Sequence, residues 1–146
     1  MSEATIANHP ELAGRLRLLI ARTARRLRQE AGADLSPSQS SALSTVDRHG
    51  PLTPSELAAL ERVQRPTATR VLARLEEAGL VERAADPTDR RSSLITATPE
   101  GRALLRRQRT RKNLYLAERL DALSEEELAT LERAAGILER ALESHS

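Results

Sequence analysis

The sequence contains no cysteine, no phenylalanine and no tryptophan, and Tyr115 is its only tyrosine. Without cysteine the chain can form neither a disulfide nor a thiolate metal site, and it cannot sense oxidants through a thiol. Its three histidines, His9, His49 and His145, are far apart in the chain and lack the spacing of metal ligands. We therefore expect no metal and no cofactor.

Long apolar segments are also absent. No run of about 18 apolar residues occurs, so we expect no membrane-spanning segment. The first residues include Glu3 and Glu11 and lack the apolar region of a secretory signal, which favours a cytoplasmic protein. The sequence offers neither a Gly-rich phosphate loop nor a histidine spaced for a Ser/His/Asp site, so we expect no catalytic residues and no enzyme. The length favours one domain over 1–146.

The charges are unevenly distributed, although the net charge is only +2. Residues 62–111 hold twelve arginines against six acidic residues, whereas residues 113–146 hold three arginines against eight acidic residues. A basic centre beside an acidic C-terminal segment indicates that one face of the protein meets a polyanion. The alternative is an ordinary solvated helix surface.

Apolar residues recur at helical spacing near both ends of the chain. Leu12, Leu16 and Leu19 belong to a stripe that predicts a helix over 10–32. A capping box at 124–127 begins a second stripe with heptad character, formed by Leu128, Leu131, Leu138 and Leu142. We expect dimerisation helices in 10–32 and 113–143. The second stripe could also form part of the core of a monomer.

The segment 36–101 has the order of elements of a winged helix-turn-helix, a fold in which a β-hairpin (the wing) follows two short helices joined by a tight turn. The predicted elements are helices begun by capping boxes at 36–39 and 53–56, a third helix over 66–78, a strand over 80–84, a charged loop over 85–91, a strand over 92–97 and a long helix that begins at Thr98. The predicted fold class is therefore mainly α with a small β-hairpin wing and with N- and C-terminal dimerisation helices.

The third helix of that segment would be the recognition helix, which lies in the major groove of DNA. Arginine suits the paired acceptors of guanine, and threonine contacts phosphate or a thymine methyl group. On composition alone these residues could be exposed charges of any helix, but a wing behind them favours DNA reading. The candidate readers are Arg65, Thr67, Thr69, Arg70 and Arg74.

The wing carries a second group of candidates. Arg90 and Arg91 are predicted at the tip of the hairpin, where a protruding cation could enter a narrow minor groove. Asp89 beside them could orient one guanidinium through a bidentate pair. The alternative is a surface salt bridge that only makes the turn more rigid.

Three segments carry a family resemblance: L-T-P-S-E-L-A, T-A-T-R-V-L-A-R-L-E-E-A-G-L-V-E-R and D-P-T-D-R-R-S-S-L-I-T-A-T-P-E-G-R-A-L. With them the chain resembles the MarR (multiple antibiotic resistance regulator) family of bacterial winged-helix repressors over roughly 10–143. The resemblance implies that the recognition-helix readers are Gln64, Arg65, Pro66, Thr67, Thr69 and Arg70. It also implies that Asp89 and Arg91 serve the minor groove, with Arg90 at the tip.

The resemblance further implies an assembly and partners. Members of this family are homodimers with interleaved N- and C-terminal helices, and they bind pseudo-palindromic operators in double-stranded DNA. Many release DNA when a small, often phenolic, anion binds between the dimerisation helices and the DNA-binding lobe. Tyr115 is the candidate for such a pocket here. We therefore expect a cytoplasmic homodimeric repressor, nucleoid-associated when bound to its operator, with a small anionic ligand as a further partner.

Two positions depart from the family pattern. Ala97 stands where a leucine usually precedes the T-P-E-G threonine, which predicts looser packing beneath the wing. Pro66 stands where many members have Ser, Lys or Thr, and it removes one hydrogen-bond donor. The alternative function is a winged-helix protein-interaction module without DNA binding. Such a module would carry apolar or acidic residues on its recognition face, where this chain has arginines.

Overall fold

The structure, a computed structural model, describes residues 9–143. Those residues form six helices and one two-stranded antiparallel sheet. His145 and the predicted domain ends, 1–8 and 144–146, lie outside the described residues. The elements in order are α1 (Pro10–Glu30), α2 (Pro37–His49), α3 (Pro54–Glu61), α4 (Arg65–Glu77), β1 (Val81–Asp86), β2 (Asp89–Ala97), α5 (Pro99–Leu120) and α6 (Glu125–Glu143).

The chain divides into two compact units, Met1–Lys112 and Asn113–Ser146. The first unit contains the complete winged helix-turn-helix, from α2 through β2, and the second contains α6. Helix α5 contributes residues to both units. The single domain expected over 1–146 stays a prediction.

The predicted capping boxes explain where the helices begin. At α2, the Ser36 hydroxyl accepts from the Gln39 amide at 3.2 Å, and the Gln39 side chain accepts from the Ser36 amide at 3.0 Å. The box at residues 124–127 is also complete, with Oγ–N and Oε1–N distances of 3.1 and 3.2 Å. At α3 the structure shows one of the two bonds of the box predicted at 53–56, in which the Thr53 hydroxyl accepts from the Glu56 amide at 3.1 Å. Side chains thereby satisfy amides that the first turn of a helix leaves unpaired.

The core of the first unit is aliphatic, as the composition predicts. The largest side chains that are fully buried come from α2, the segment before α3, α3, α4 and β2. Val71 of α4 is half-buried and packs at the edge of the core. Ala97 is buried and faces Val81 across the hairpin. The fully buried set is Leu43, Val46, Leu52, Leu57, Leu72, Leu75 and Ile95.

The hairpin differs from its prediction because its loop is much shorter. Strand β1 continues to Asp86, and β2 already begins at Asp89, so only Pro87 and Thr88 form the turn. The Asp86 carboxylate accepts from both the amide and the hydroxyl of Thr88, at 2.9 and 2.7 Å. This short side-chain turn closes the hairpin inside the segment predicted as a seven-residue loop (85–91). The predicted loop boundaries were therefore wrong.

A further backbone connection fastens the wing to the helices. Leu52, which lies between α2 and α3, exchanges two backbone hydrogen bonds with Ile95 of β2, at 3.1 and 2.8 Å. Both side chains are 1% exposed. The base of the wing is thus continuous with the core beneath the helix-turn-helix.

The junction between α4, β1 and α5 explains two residues of the T-P-E-G motif. The Thr98 hydroxyl donates to the Gly79 carbonyl oxygen at 2.6 Å and accepts from the Gly101 amide at 3.1 Å. Thr98 also donates its own amide to the Leu80 carbonyl oxygen at 3.0 Å. A side chain at Gly101 would collide with that same carbonyl oxygen, so only glycine allows α5 to approach this closely.

Helices α1 and α6 leave apolar side chains exposed. In the first unit, Leu12 and Leu19 of α1 are 54% and 50% exposed. In the second unit, Leu131 and Leu142 of α6 are 46% and 69% exposed. Neither helix has a buried residue in the described chain. These faces do not supply the core of a monomer.

Candidate nucleic-acid interface

The turn between α3 and α4 sets the direction of the candidate recognition helix. Arg62 ends α3 in the left-handed conformation, with φ 55° and ψ 45°. The Val63 amide then donates to the Ala58 carbonyl oxygen at 3.0 Å, which turns the chain sharply. Gln64 occupies the N-cap position of α4 with extended backbone, so α4 begins at Arg65, one residue earlier than predicted.

Helix α4 has one buried face and one exposed face. Ala68, Leu72 and Leu75 are buried against α2 and α3, at the spacing expected of an amphipathic helix. Every predicted reader except Thr67 lies on the exposed surface, and Thr67 is half-buried at the edge of the core. The exposed readers are Gln64, Arg65, Pro66, Thr69, Arg70 and Arg74.

The wing presents its arginines from a strand and not from a loop tip. Residue pairs Ala85–Ser93 and Asp86–Asp89 are adjacent on β1, so three residues of β2 lie between them without a partner in the register. Those three residues are Arg90, Arg91 and Ser92, and both arginines are exposed. Arg90 and Arg91 therefore lie on β2, beside the two-residue turn, and not in the loop predicted over 85–91. A bulge two residues beyond the turn projects them instead.

Two aspartates stabilise the backbone around that bulge. Asp89 Oδ1 accepts from the Arg91 amide at 2.9 Å. Within residues 9–143, Asp89 forms no ion pair with an arginine. Its contact to the Arg91 backbone stands in place of the predicted bidentate pair. The Asp86 carboxylate accepts hydrogen bonds from the Thr88 amide and the Thr88 hydroxyl. Both bonds, the amide bond more strongly, lower the pKa of the Asp86 carboxyl below its ordinary value.

One residue that the sequence reasoning missed links the wing to α4. Arg83 of β1 donates through Nε to the Glu76 carboxylate at 3.0 Å and through Nη1 to the Ser93 hydroxyl at 3.1 Å. The three residues belong to α4, β1 and β2, so the guanidinium links both strands of the wing to α4. The strand pattern placed Arg83 on β1 but gave no sign of its partners.

The arginines of α5 have different environments. Arg102 donates to the Ala97 carbonyl oxygen at 2.8 Å, which joins α5 to the end of the wing. Arg111 donates to the Ala31 carbonyl oxygen at 2.9 Å and so attaches α5 to the end of α1. Arg106 and Arg107 are exposed.

The first unit also contains a cavity of about 520 Å³ between α1, α2 and α5. Four basic side chains line it: Arg28, Arg48, Arg109 and Lys112. At its wall the buried Gln108 accepts from the Ser40 hydroxyl at 2.9 Å. A basic, hydroxyl-lined cavity of this volume suits a small anion.

Tyr115, the residue predicted for a ligand pocket, belongs to the second unit. Its ring lies beneath the Arg119 guanidinium, with 3.8 Å between the guanidinium carbon and the ring centroid. This distance is short enough for a cation–π interaction. The ligand-binding role of Tyr115 stays a prediction.

Residues 9–143 contain no cluster of three acidic or histidine side chains arranged as metal ligands. Within the same residues, every helix is too short or too polar to cross a bilayer.

Known proteins share both the sequence and the fold. The family model described as MarR family matches residues 35–93. The chain is 39% identical over 128 residues to an HTH-type transcriptional regulator of Mycobacterium tuberculosis (strain CDC 1551 / Oshkosh), over 87% of this chain and 90% of that protein. It is 34% identical over 100 residues to the multiple antibiotic resistance protein MarR of Salmonella typhimurium, over 68% of this chain and 69% of that protein.

Solved structures have the same fold as this chain. A transcriptional regulator from Pseudomonas aeruginosa PA01 has a TM-score of 0.80 and 38% identity, over 90% of this chain and 93% of that chain. Streptococcus pneumoniae FabT, solved in complex with DNA, has a TM-score of 0.67 and 22% identity, over 95% of this chain and 100% of that chain. The second likeness concerns the fold alone.

The fold and these relatives define the class of the protein: a winged helix-turn-helix transcriptional regulator, and not an enzyme. The chain belongs to the MarR family. The predicted mainly α fold with a β-hairpin wing, the predicted family and the predicted class of transcriptional regulator are confirmed. The dimerisation role of the terminal helices stays a prediction.

Proposed function

We propose that this regulator is a homodimer that binds double-stranded DNA sequence-specifically. The observation that carries the proposal is the exposed arginine and threonine surface of α4, with the bulged arginines of the wing in the same unit. The DNA complex of FabT, which shares the fold, supports the choice of DNA as the polyanion. A DNA regulator of this kind acts in the cytoplasm, at the nucleoid.

The two surfaces would read different features of the duplex. Arg65 and Arg70 stand in the first turns of α4, where a recognition helix contacts base edges, and a guanidinium can bond both guanine acceptors of one base pair. Pro66, between Arg65 and Arg70, has no amide hydrogen to donate to DNA. We therefore assign phosphate contacts to Gln64 and Thr67. Arg91, whose backbone is held by Asp89, would enter the adjacent minor groove.

Dimerisation would use the exposed apolar faces of α1 and α6. The side chains of Leu12, Leu19, Leu131 and Leu142 are about half exposed or more in the single chain, and contiguous exposed apolar surface marks an interaction site. Leu16, Leu128 and Leu138 belong to the same stripes. Two recognition helices related by a dyad would read a pseudo-palindromic operator, with half-sites about 34–36 Å apart.

We also propose that the protein represses transcription and releases DNA when a small anion occupies the cavity between α1, α2 and α5. The support is the basic lining of that cavity by Arg28, Arg48, Arg109 and Lys112. A ligand shifts the protein toward release only if it binds the released conformation more tightly than the DNA-bound conformation.

The alternative, a protein-interaction module without DNA binding, fits the site less well. The exposed surface of α4 carries Arg65, Arg70 and Arg74, whereas an interaction surface is depleted of charge at its centre and rich in aromatic side chains. The chain contains neither phenylalanine nor tryptophan to form such a centre.

The experiment measures the affinity of single-arginine variants for an operator duplex selected from genomic fragments. Arg70→Ala should weaken binding by about 1–3 kcal/mol and relax sequence preference at one base pair. Arg91→Ala should weaken binding and remove the preference for A/T-rich flanks. The matched control is Arg133→Ala, which removes the same charge from an exposed position of α6 outside both surfaces.

If Arg70→Ala and Arg133→Ala bind the operator equally well, α4 is not the reading element. A flank preference that survives in Arg91→Ala would assign the wing arginine a structural role only.

A further inference from the structure

We propose that Glu61 is a positioning residue for DNA recognition: its carboxylate, held by Ser41 and Thr45 of α2, fixes the turn that orients α4. The proposal rests on the proposed function, because it assumes that α4 reads DNA. Neither the sequence pattern nor the resemblance assigns a role to any of these three residues.

The contacts are short and converge on one carboxylate. The Ser41 hydroxyl lies 3.0 Å from Oε1 and 2.8 Å from Oε2 of Glu61. The Thr45 hydroxyl lies 2.8 Å from Oε1. Ser41 and Thr45 are four residues apart on α2, so both project from the same face of that helix. Hydrogen bonds to an ionised carboxylate are stronger than bonds between neutral groups.

Each member of the cluster stands where local preferences disfavour it. Glu61 is the last residue of α3, where a negative charge opposes the helix dipole. Ser41 and Thr45 lie inside α2, where hydroxyl side chains are weaker helix formers than alanine or leucine. Sequences usually depart from local rules in this way where function requires it. The hydroxyls of Ser41 and Thr45 donate to the Glu61 carboxylate at the C-terminal end of α3, and these bonds offset its unfavourable interaction with the helix dipole.

The position of Glu61 explains what the cluster controls. Glu61 immediately precedes Arg62, whose left-handed backbone makes the turn, and α4 begins at Arg65. Helix α2 is a rigid support, since its Leu43 and Val46 are fully buried. The cluster therefore ties the turn to α2, a few residues before the first reader.

Reading of base edges is sensitive to such positioning. A guanidinium must meet guanine acceptors within a few tenths of an ångström, and a displacement of about 1 Å can cost up to a hundredfold in function. Contacts to phosphate tolerate more displacement, because they depend mainly on charge. Loss of the cluster should therefore reduce operator affinity while non-specific DNA affinity stays constant.

The test uses variants that keep the shape of each side chain. Thr45→Val removes the hydroxyl, and Glu61→Gln removes the charge. Thr45→Ser keeps the hydroxyl and loses only the methyl group. The control is Ser38→Ala, which removes a hydroxyl from an exposed position of α2 outside the cluster. For each full-length protein, fluorescence polarisation gives the affinity for the operator selected by the wild type and for a scrambled duplex, at two salt concentrations, and calorimetry gives Tm.

We expect Thr45→Val and Glu61→Gln each to lose about tenfold in operator affinity, with scrambled-duplex affinity and salt slope unchanged. The double variant should lose little more than either single variant, because the residues act together. Thr45→Ser and Ser38→Ala should bind like the wild type.

Two results would overturn the inference. If Thr45→Val lowers Tm but keeps the wild-type ratio of operator to scrambled affinity, the cluster is structural. If Glu61→Gln binds both duplexes more tightly, the carboxylate only repels phosphate. A wild type that fails to distinguish the duplexes would refute the proposed function itself, and the positioning role with it.

Discussion

Thr98 provides the sharpest test of how α5 is joined to the winged helix-turn-helix. Thr98→Val keeps the shape of the side chain but removes its hydroxyl. That hydroxyl caps α5 through the Gly101 amide, 3.1 Å away, and a lost N-cap bond costs about 1 kcal/mol. It also donates to the partly buried Gly79 carbonyl oxygen, 2.6 Å away, and the loss of that bond costs about 1 kcal/mol more.

The expected total is therefore about 2 kcal/mol, which for a chain of this length lowers Tm by roughly 4–8 °C. Thr98→Ser is the matched control. It keeps both hydrogen bonds and loses one buried methyl group, which is worth about 0.8 kcal/mol. Calorimetry at one fixed protein concentration is required, because the proposed dimer would make stability depend on concentration.

The order of the two variants decides between hydrogen bonding and packing. If packing alone mattered, valine would be tolerated at this buried site and serine would be the more damaging change. A Tm of Thr98→Val equal to or above that of Thr98→Ser would therefore refute the account of this junction.

Three further predictions concern the wing, its turn and the dimer. Arg83→Gln should weaken operator binding several-fold while Tm changes little, since exposed ion pairs contribute about 0–1 kcal/mol to stability. Fluorescence polarisation measures the binding and calorimetry measures Tm on the same sample. A large fall in Tm would contradict this prediction. The Thr88 amide shift, followed by NMR, should titrate with Asp86 below the ordinary aspartate pKa. The lowered pKa means that the turn is stabilised above that value and released as pH falls through the folded-state pKa, so a midpoint at or above the ordinary value would contradict the assignment. Truncation after Leu123 removes α6 and should give a monomer in sedimentation, whereas a truncated dimer would refute the role of that helix.

Much of the fold could be predicted from the sequence because its signals are local. Capping boxes at Ser36 and Ser124 need residues only three positions apart, and both boxes are present. The apolar residues of α4 also recur at helical spacing and form its buried face, whereas Val71 is half-buried. Exposure of the recognition-helix arginines follows from that same periodicity.

The missed features depend on contacts that local patterns do not encode. The charged residues after Ala84 indicated a loop, yet one aspartate side chain closes a two-residue turn and allows both strands to extend. Arg83 and its partners, and Glu61 with Ser41 and Thr45, join different elements of the first unit. Side chains that meet only after folding carry no periodicity that could mark them beforehand.

The central claim is that α4 and the wing read DNA, and one titration tests it most directly. Genomic fragments are selected with the full-length protein, and an enriched duplex and its scrambled counterpart are titrated by fluorescence polarisation at two salt concentrations. The account predicts a preference of about a thousandfold or more for the enriched duplex, with affinity that falls steeply as salt rises. Failure to enrich any fragment, with equal and weak binding to unrelated duplexes, would contradict it.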